Sequence, residues 1–153
     1  MIHIITDSTN DLDLDTITKH HIEVLPLYVN FSDESFKDGV DITTKELYEL
    51  VEKKNELPKT AAIPQHTFVE VFQAYVAAGD EILFTGISKQ RSRTYENAVL
   101  AAKEVDEKKI FIVDSMNLST GIGLLVLKAC KYRDQGFSAK EIAEALEKDN
   151  KRV

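Results

Sequence analysis

Four short apolar runs rich in β-branched residues punctuate the chain: Ile2–Ile5, Ile22–Val29, Ile82–Phe84 and Ile110–Val113. Each is strand-length and bounded by polar or glycine residues. Longer segments with helical period lie between them. Phe68, Val71, Phe72, Tyr75 and Val76 repeat at i, i+3, i+4, i+7 and i+8, an apolar stripe along one helix face. Strands that are nearly continuously apolar, alternating with helices, predict a parallel sheet covered on both faces. The expected fold is therefore α/β: an open, Rossmann-like parallel sheet with helices on both sides.

Local punctuation agrees with this reading. Thr43 with Glu46, and Ser138 with Glu141, have the spacing of a capping box. Gly79 and Gly136 follow helical patterns where a left-handed stop is wanted. Asn30 to Asp41 is polar and predicts a small β-hairpin insertion with Ser32–Glu34 at its tip. Asn55 to Pro64, bracketed near its end by Pro58 and Pro64, predicts a loop, and Ser138 to Lys151 a last helix with a thin apolar face. No repeat or low-complexity tract interrupts the pattern, so residues 1–153 are expected to form one domain.

Charge and cysteine content narrow the function. Nineteen Lys and Arg against 26 Asp and Glu leave a formal net charge of −7, which repels phosphate backbones and argues against nucleic acid as a partner. The single cysteine, Cys130, cannot form an internal disulfide and suits a reducing compartment. The apolar start, Met1 to Ile5, is too short for a signal peptide, and the longest apolar stretch, Ile122 to Leu127, is far below the roughly 20 residues of a membrane span. A cytoplasmic protein without a membrane-spanning segment is expected.

Ligands of open α/β sheets sit beyond the carboxyl ends of the strands. The first strand is followed by Thr6-Asp7-Ser8-Thr9, the third by Gly86-Ile87-Ser88 with Ser92 and Thr94 leading into a helix, and the fourth by Asp114-Ser115 and then Ser119-Thr120-Gly121. Three strand ends thus bring hydroxyls and helix starts to one edge, a receptor suited to a carboxylate or phosphate. Helix capping accounts for any one of these residues; their number at one edge favours a site.

Motifs for catalysis are incomplete. Gly121-Ile122-Gly123 lacks the third glycine of a dinucleotide fingerprint, since Val126 holds that position. Gly86-Ile87-Ser88-Lys89-Gln90 lacks the closing glycine of a nucleophile elbow. His3, His20, His21 and His66 have no metal-ligand spacing. Cys130 continues an apolar helix and is expected to be buried. No enzymatic activity, metal or cofactor is expected. Two other readings stay open: a small hydrolase or phosphotransferase using Asp7, Ser8 and Asp114, and an interaction or scaffold domain without a ligand.

The order of motifs resembles the N-terminal domain of the DegV family of bacterial fatty-acid-binding proteins. The resemblance is carried by Thr6-Asp7-Ser8-Thr9, Leu25-Pro26-Leu27, Lys37-Asp38-Gly39, Pro58-Lys59-Thr60, Ser88 with Ser92, Thr94 and Tyr95, and Asp114-Ser115 with Gly121 and Gly123. It covers the whole chain and implies a carrier. Members of the family bind one long-chain fatty acid, and some present its carboxylate to a separate fatty acid kinase. The carboxylate would be held by hydroxyls that correspond here to Thr60 and Ser92, with Ser8, Thr94, Ser115, Ser119 and Arg93 as further candidates. The acyl chain would be buried in apolar protein.

Two stretches depart from the family pattern. Thr60-Ala61-Ala62-Ile63 stands where Thr-Ser-Gln-Pro is usual, and Arg91-Ser92-Arg93-Thr94-Tyr95 where Leu-Ser-Gly-Thr-Tyr is usual. Arg93 therefore replaces a glycine beside the head-group position. The resemblance also implies a second domain, absent from this chain, that closes over the ligand.

Overall fold

The computed structural model describes residues 1–153. The chain opens with strand β1 (Ile2–Asp7), a 3-10 turn (Ser8–Asn10) and helix α1 (Leu14–Lys19). Strands β2 (Glu23–Leu25), β3 (Tyr28–Asn30) and β4 (Ser35–Lys37) follow, then helix α2 (Thr44–Lys54) and strand β5 (Lys59–Ala61). The rest alternates: α3 (Gln65–Ala77), β6 (Glu81–Gly86), α4 (Thr94–Val105), β7 (Ile110–Asp114), α5 (Thr120–Asp134) and α6 (Ala139–Asp149).

Strands β2, β1, β6 and β7 form a parallel sheet in that order. Its two faces carry two cores, and the pleat of β1 explains why. Ile4 points to a layer with Ile122, Leu125, Val126, Ile142 and Leu146 from α5 and α6. The next residue, Ile5, points to the opposite layer with Phe68 and Phe72 of α3 and Ala98, Ala101 and Ala102 of α4. Small residues on α4 let it approach the sheet, while α3 brings the aromatic bulk. The expected α/β architecture with helices on both faces is the observed one. Cys130 is buried in the α5 layer, and burial pushes its thiol up to about 11.

The expected single strand over Ile22–Val29 is instead two strands in two sheets. Pro26 lacks an N–H and ends the parallel pairing at Leu25. Beyond it the chain turns into a second, antiparallel sheet of order β4-β3-β5. The hairpin of β3 and β4 matches expectation, closed by Phe31 N–H donating to the Glu34 carbonyl at 2.8 Å. The expected loop over Asn55–Pro64 is corrected, because Lys59–Ala61 pairs with β3 as β5, with Thr60 opposite Val29.

Both capping boxes are formed, Thr43 with Glu46 on α2 and Ser138 with Glu141 on α6. Gly79 and Gly136 take φ of +86° and +89°, the left-handed stops their positions require. No helix is long and apolar enough to cross a membrane.

Candidate functional site

Thr60 and Ser92 meet at one cavity of about 300 Å³, lined also by Leu27, Ala61, Ala62, Ile87, Arg91 and Arg93. Two hydrogen bonds of the adjoining backbone explain how such distant segments come together. The Ile63 N–H, two residues beyond β5, donates to Thr94 Oγ1 at 3.3 Å across 31 positions. Asn97 Nδ2 on α4 donates to the Ile63 carbonyl at 2.9 Å. The segment carrying Thr60 is thereby tied to the start of α4, which follows Ser92.

Ser92 is set by a compact turn. Its N–H and that of Arg91 both donate to the Ser88 carbonyl, at 3.2 and 2.9 Å. Ser92 Oγ lies 2.9 Å from Thr94 Oγ1 and accepts from the Thr94 N–H at 3.2 Å. Thr94 is fully buried and stands behind Ser92 rather than on the cavity wall. Thr60, by contrast, is exposed on β5. Arg93 lies at the rim with its side chain 82% exposed, and its Nε is 3.5 Å from Glu96 Oε2. The guanidinium is paired along α4 with Glu96.

The remaining candidates are held elsewhere. Ser8 Oγ accepts from the Leu27 N–H at 3.1 Å. Ser115 is buried, accepting from the Asn117 N–H at 3.0 Å and donating to the Asn117 carbonyl at 3.2 Å. Ser119 donates to the Asp11 carboxylate. The sheet does place the ends of β1, β6 and β7 side by side, as expected. At the ends of β1 and β7, however, the hydroxyls of Ser8, Ser115 and Ser119 are taken up by Leu27, Asn117 and Asp11, and of the candidate residues only Thr60, Ser92 and Arg93 line this cavity.

Asp7 and Asp114, weighed for an enzymatic role with Ser8, are each engaged by two backbone amides, one in the local turn and one from a distant segment. Asp7 is buried; its Oδ1 accepts from the Thr9 N–H at 2.9 Å and its Oδ2 from the Ile87 N–H at 2.7 Å. Burial pushes its carboxyl above the usual range, against the opposing pull of these bonds. Asp114 Oδ1 accepts from the N–H groups of Met116 and Lys89, at 3.1 and 3.2 Å. Ser88, the elbow-like serine, accepts from the Gln90 N–H at 3.3 Å.

The cavity pairs hydroxyls with apolar side chains, an arrangement that suits an anionic head group with an apolar body. Sequence reasoning did not find Leu27 and Ile87 as lining residues. The signal was present: each directly follows a short run ending in Pro26 or Gly86 at a strand exit.

Known proteins share this chain's sequence and shape. A DegV domain-containing protein of Clostridium perfringens is 38% identical over 145 residues, covering 95% of this chain and 52% of that protein. A Thermus thermophilus DegV family structure, described by its fatty acid binding, superposes with a TM-score of 0.88 at 31% identity, covering 98% of this chain and 53% of its own. DegV of Bacillus subtilis, described as a fatty acid binding protein, gives a TM-score of 0.89 at 29% identity, with 98% and 54% coverage. The chain spans about half the length of these relatives. The model of an uncharacterised-protein family, DegV, matches residues 1–153, and the chain belongs to the DegV family.

Proposed function

We propose that the chain binds one long-chain fatty acid, with its carboxylate between Thr60 and Ser92 and the first part of its acyl chain against Leu27 and Ile87. The observation that carries this reading is the shared cavity of Thr60 and Ser92, with apolar neighbours on the same wall. Two hydroxyls can each donate to one carboxylate, and such charge-assisted bonds are the strong ones. The relatives described as fatty acid binding support the ligand class. Leu14, Met116 and Leu118, on segments that follow β1 and β7, are exposed apolar residues at the same edge of the sheet. In this reading the protein is a carrier in the cytoplasm, and the held carboxylate is the group offered to a fatty acid kinase.

Solvent extraction of the denatured, purified protein tests this directly. Mass spectrometry is expected to find one long-chain fatty acid per chain. An empty extract, from protein that also takes up no added oleate, refutes the reading in favour of a domain without a lipid ligand.

Arg93 is expected to contribute little. Its guanidinium is exposed and faces Glu96, and exposed pairs of this kind are worth about 0–1 kcal/mol. Arg93→Gly should change oleate affinity by less than about threefold at low and at high salt alike. A larger loss that salt removes would give Arg93 a direct part in holding the carboxylate.

A further inference from the structure

Asp7 and Ser8 stand at the exit of the central strand β1, between the exits of β2 and β6. Each reaches to one side. Ser8 Oγ accepts the Leu27 N–H, just past β2, at 3.1 Å. Asp7 Oδ2 accepts the Ile87 N–H, just past β6, at 2.7 Å and across 80 positions of sequence. Leu27 and Ile87 are both walls of the cavity that holds Thr60 and Ser92.

We infer that Asp7 and Ser8 are positioning residues of the head-group cavity, pinning the backbone of two of its lining residues from a single point on β1. The inference rests on the reading of that cavity as a carboxylate site.

Local turn chemistry explains only half of what Asp7 does. Its Oδ1 accepts from Thr9 two residues on, an ordinary turn bond. The Ile87 bond is long-range and has no part in that turn. Gly86 shows how closely the carboxylate is fitted. A Cβ at Gly86 would lie 2.2 Å from Asp7 Oδ2 and 2.9 Å from Asp7 Cγ, so only a residue without a side chain lets the carboxylate reach the next amide. The Ile87 bond begins the segment that returns through the Ser88 turn to Ser92. An error at Ile87 is therefore passed to the hydroxyl that meets the ligand. A carboxylate is a costly group to bury, and a strong, directional acceptor is what it offers in return.

The test uses Asp7→Asn, Ser8→Ala and Ser8→Thr in the full chain, with oleate affinity read by displacement of a fluorescent fatty acid well below each variant's melting midpoint. Asp7→Asn turns an amide N–H₂ or a weaker neutral acceptor toward Ile87, and is expected to weaken oleate binding about tenfold. Ser8→Ala removes a neutral bond and should cost about threefold, which Ser8→Thr restores because it keeps the hydroxyl. In amide proton–nitrogen spectra, Asp7→Asn should move the Ile87 resonance and Ser8→Ala the Leu27 resonance, each with its neighbours in the cavity. Folded Asp7→Asn and Ser8→Ala proteins with wild-type oleate affinity overturn the proposal. So does a Ser8→Thr variant as weak as Ser8→Ala, since packing rather than the hydroxyl would then matter. Failure of the wild type to bind oleate is a separate result: it removes the carboxylate reading, and the positioning role falls with it.

Discussion

Replacing both Thr60 and Ser92 with alanine is expected to lower oleate affinity by about two orders of magnitude. A hydrogen bond to a charged group contributes about 1.5–3 kcal/mol, so each hydroxyl alone is worth at least roughly tenfold. In the proposed site the two would act on one carboxylate and not add in full, which is why two decades is expected rather than the larger sum. Ser92 also acts through Thr94, whose Oγ1 is 2.9 Å away and is itself held by the Ile63 N–H. In the Ser92→Ala protein Thr94 keeps the Ile63 bond, so the fold survives and the loss is one of binding. Thr60 is exposed on β5, and its replacement should leave stability nearly unchanged. Titration of the single and double variants with a fluorescent fatty acid separates the two contributions. A double variant that binds as tightly as the wild type would place the head group at another part of the strand edge.

The main sheet could be read from the sequence because its signals are local and strong. Ile2–Ile5, Ile82–Phe84 and Ile110–Val113 are apolar on both faces, and each became a strand of a sheet with a core on either side. The capping boxes at Thr43 and Ser138 could be read for the same reason, since cap and partner lie three residues apart. The errors fell where tertiary pairing decides. Ile22–Val29 looks like one strand because, Glu23 apart, it carries no charged or glycine residue, yet Pro26 divides it between two sheets. Lys59-Thr60-Ala61 has no alternation and no buried side chain, so nothing local marks it as a strand. It exists because β3 offers an unpaired edge some thirty positions earlier.

The candidate site was legible in its residue types and not in their allocation. Ser8, Ser92, Ser115 and Ser119 are the same chemical group at equivalent places beyond strand ends. Whether such a hydroxyl meets a ligand or a backbone amide depends on where the next segment passes. Ser8 meets Leu27, Ser115 meets Asn117, and Ser119 meets Asp11. Ser92 is presented to the cavity because the Ser88 turn lifts it there and Thr94 holds it from behind. Asp7 illustrates the converse. Its sequence context announces a turn with Thr9, while its partner at Ile87 is set by the neighbouring strand and could not be seen from the residues around it.

Phe68→Ala is expected to cost about 3–5 kcal/mol of stability, the range for removing a buried aromatic ring. Phe68 is fully buried in the layer between α3, α4 and the sheet. It meets the Phe84 ring edge-on at 5.1 Å and the Phe72 ring at 5.5 Å, so its loss removes area, two aromatic contacts and the volume that separates them. The surroundings cannot close the gap easily, because Phe84 is fixed on β6 between paired strands on both sides. At roughly 2–4 °C per kcal/mol for a chain of this size, the melting midpoint should fall by roughly 6–20 °C. Gln73→Ala, on the exposed side of α3, supplies the comparison and should stay within about 0.5 kcal/mol of wild type. The site should feel the change as well. α3 begins at Gln65, directly after the Ile63 and Pro64 backbone that ties Thr60 to Thr94. Slack in α3 would therefore reach the Thr60–Ser92 cavity, and Phe68→Ala is expected to weaken oleate binding even at temperatures where the protein remains folded. Urea unfolding beside oleate titration checks both parts: an unchanged midpoint would mean that the α3 layer repacks without loss, and unchanged binding would mean that the cavity is held by α4 and the Ser88 turn alone.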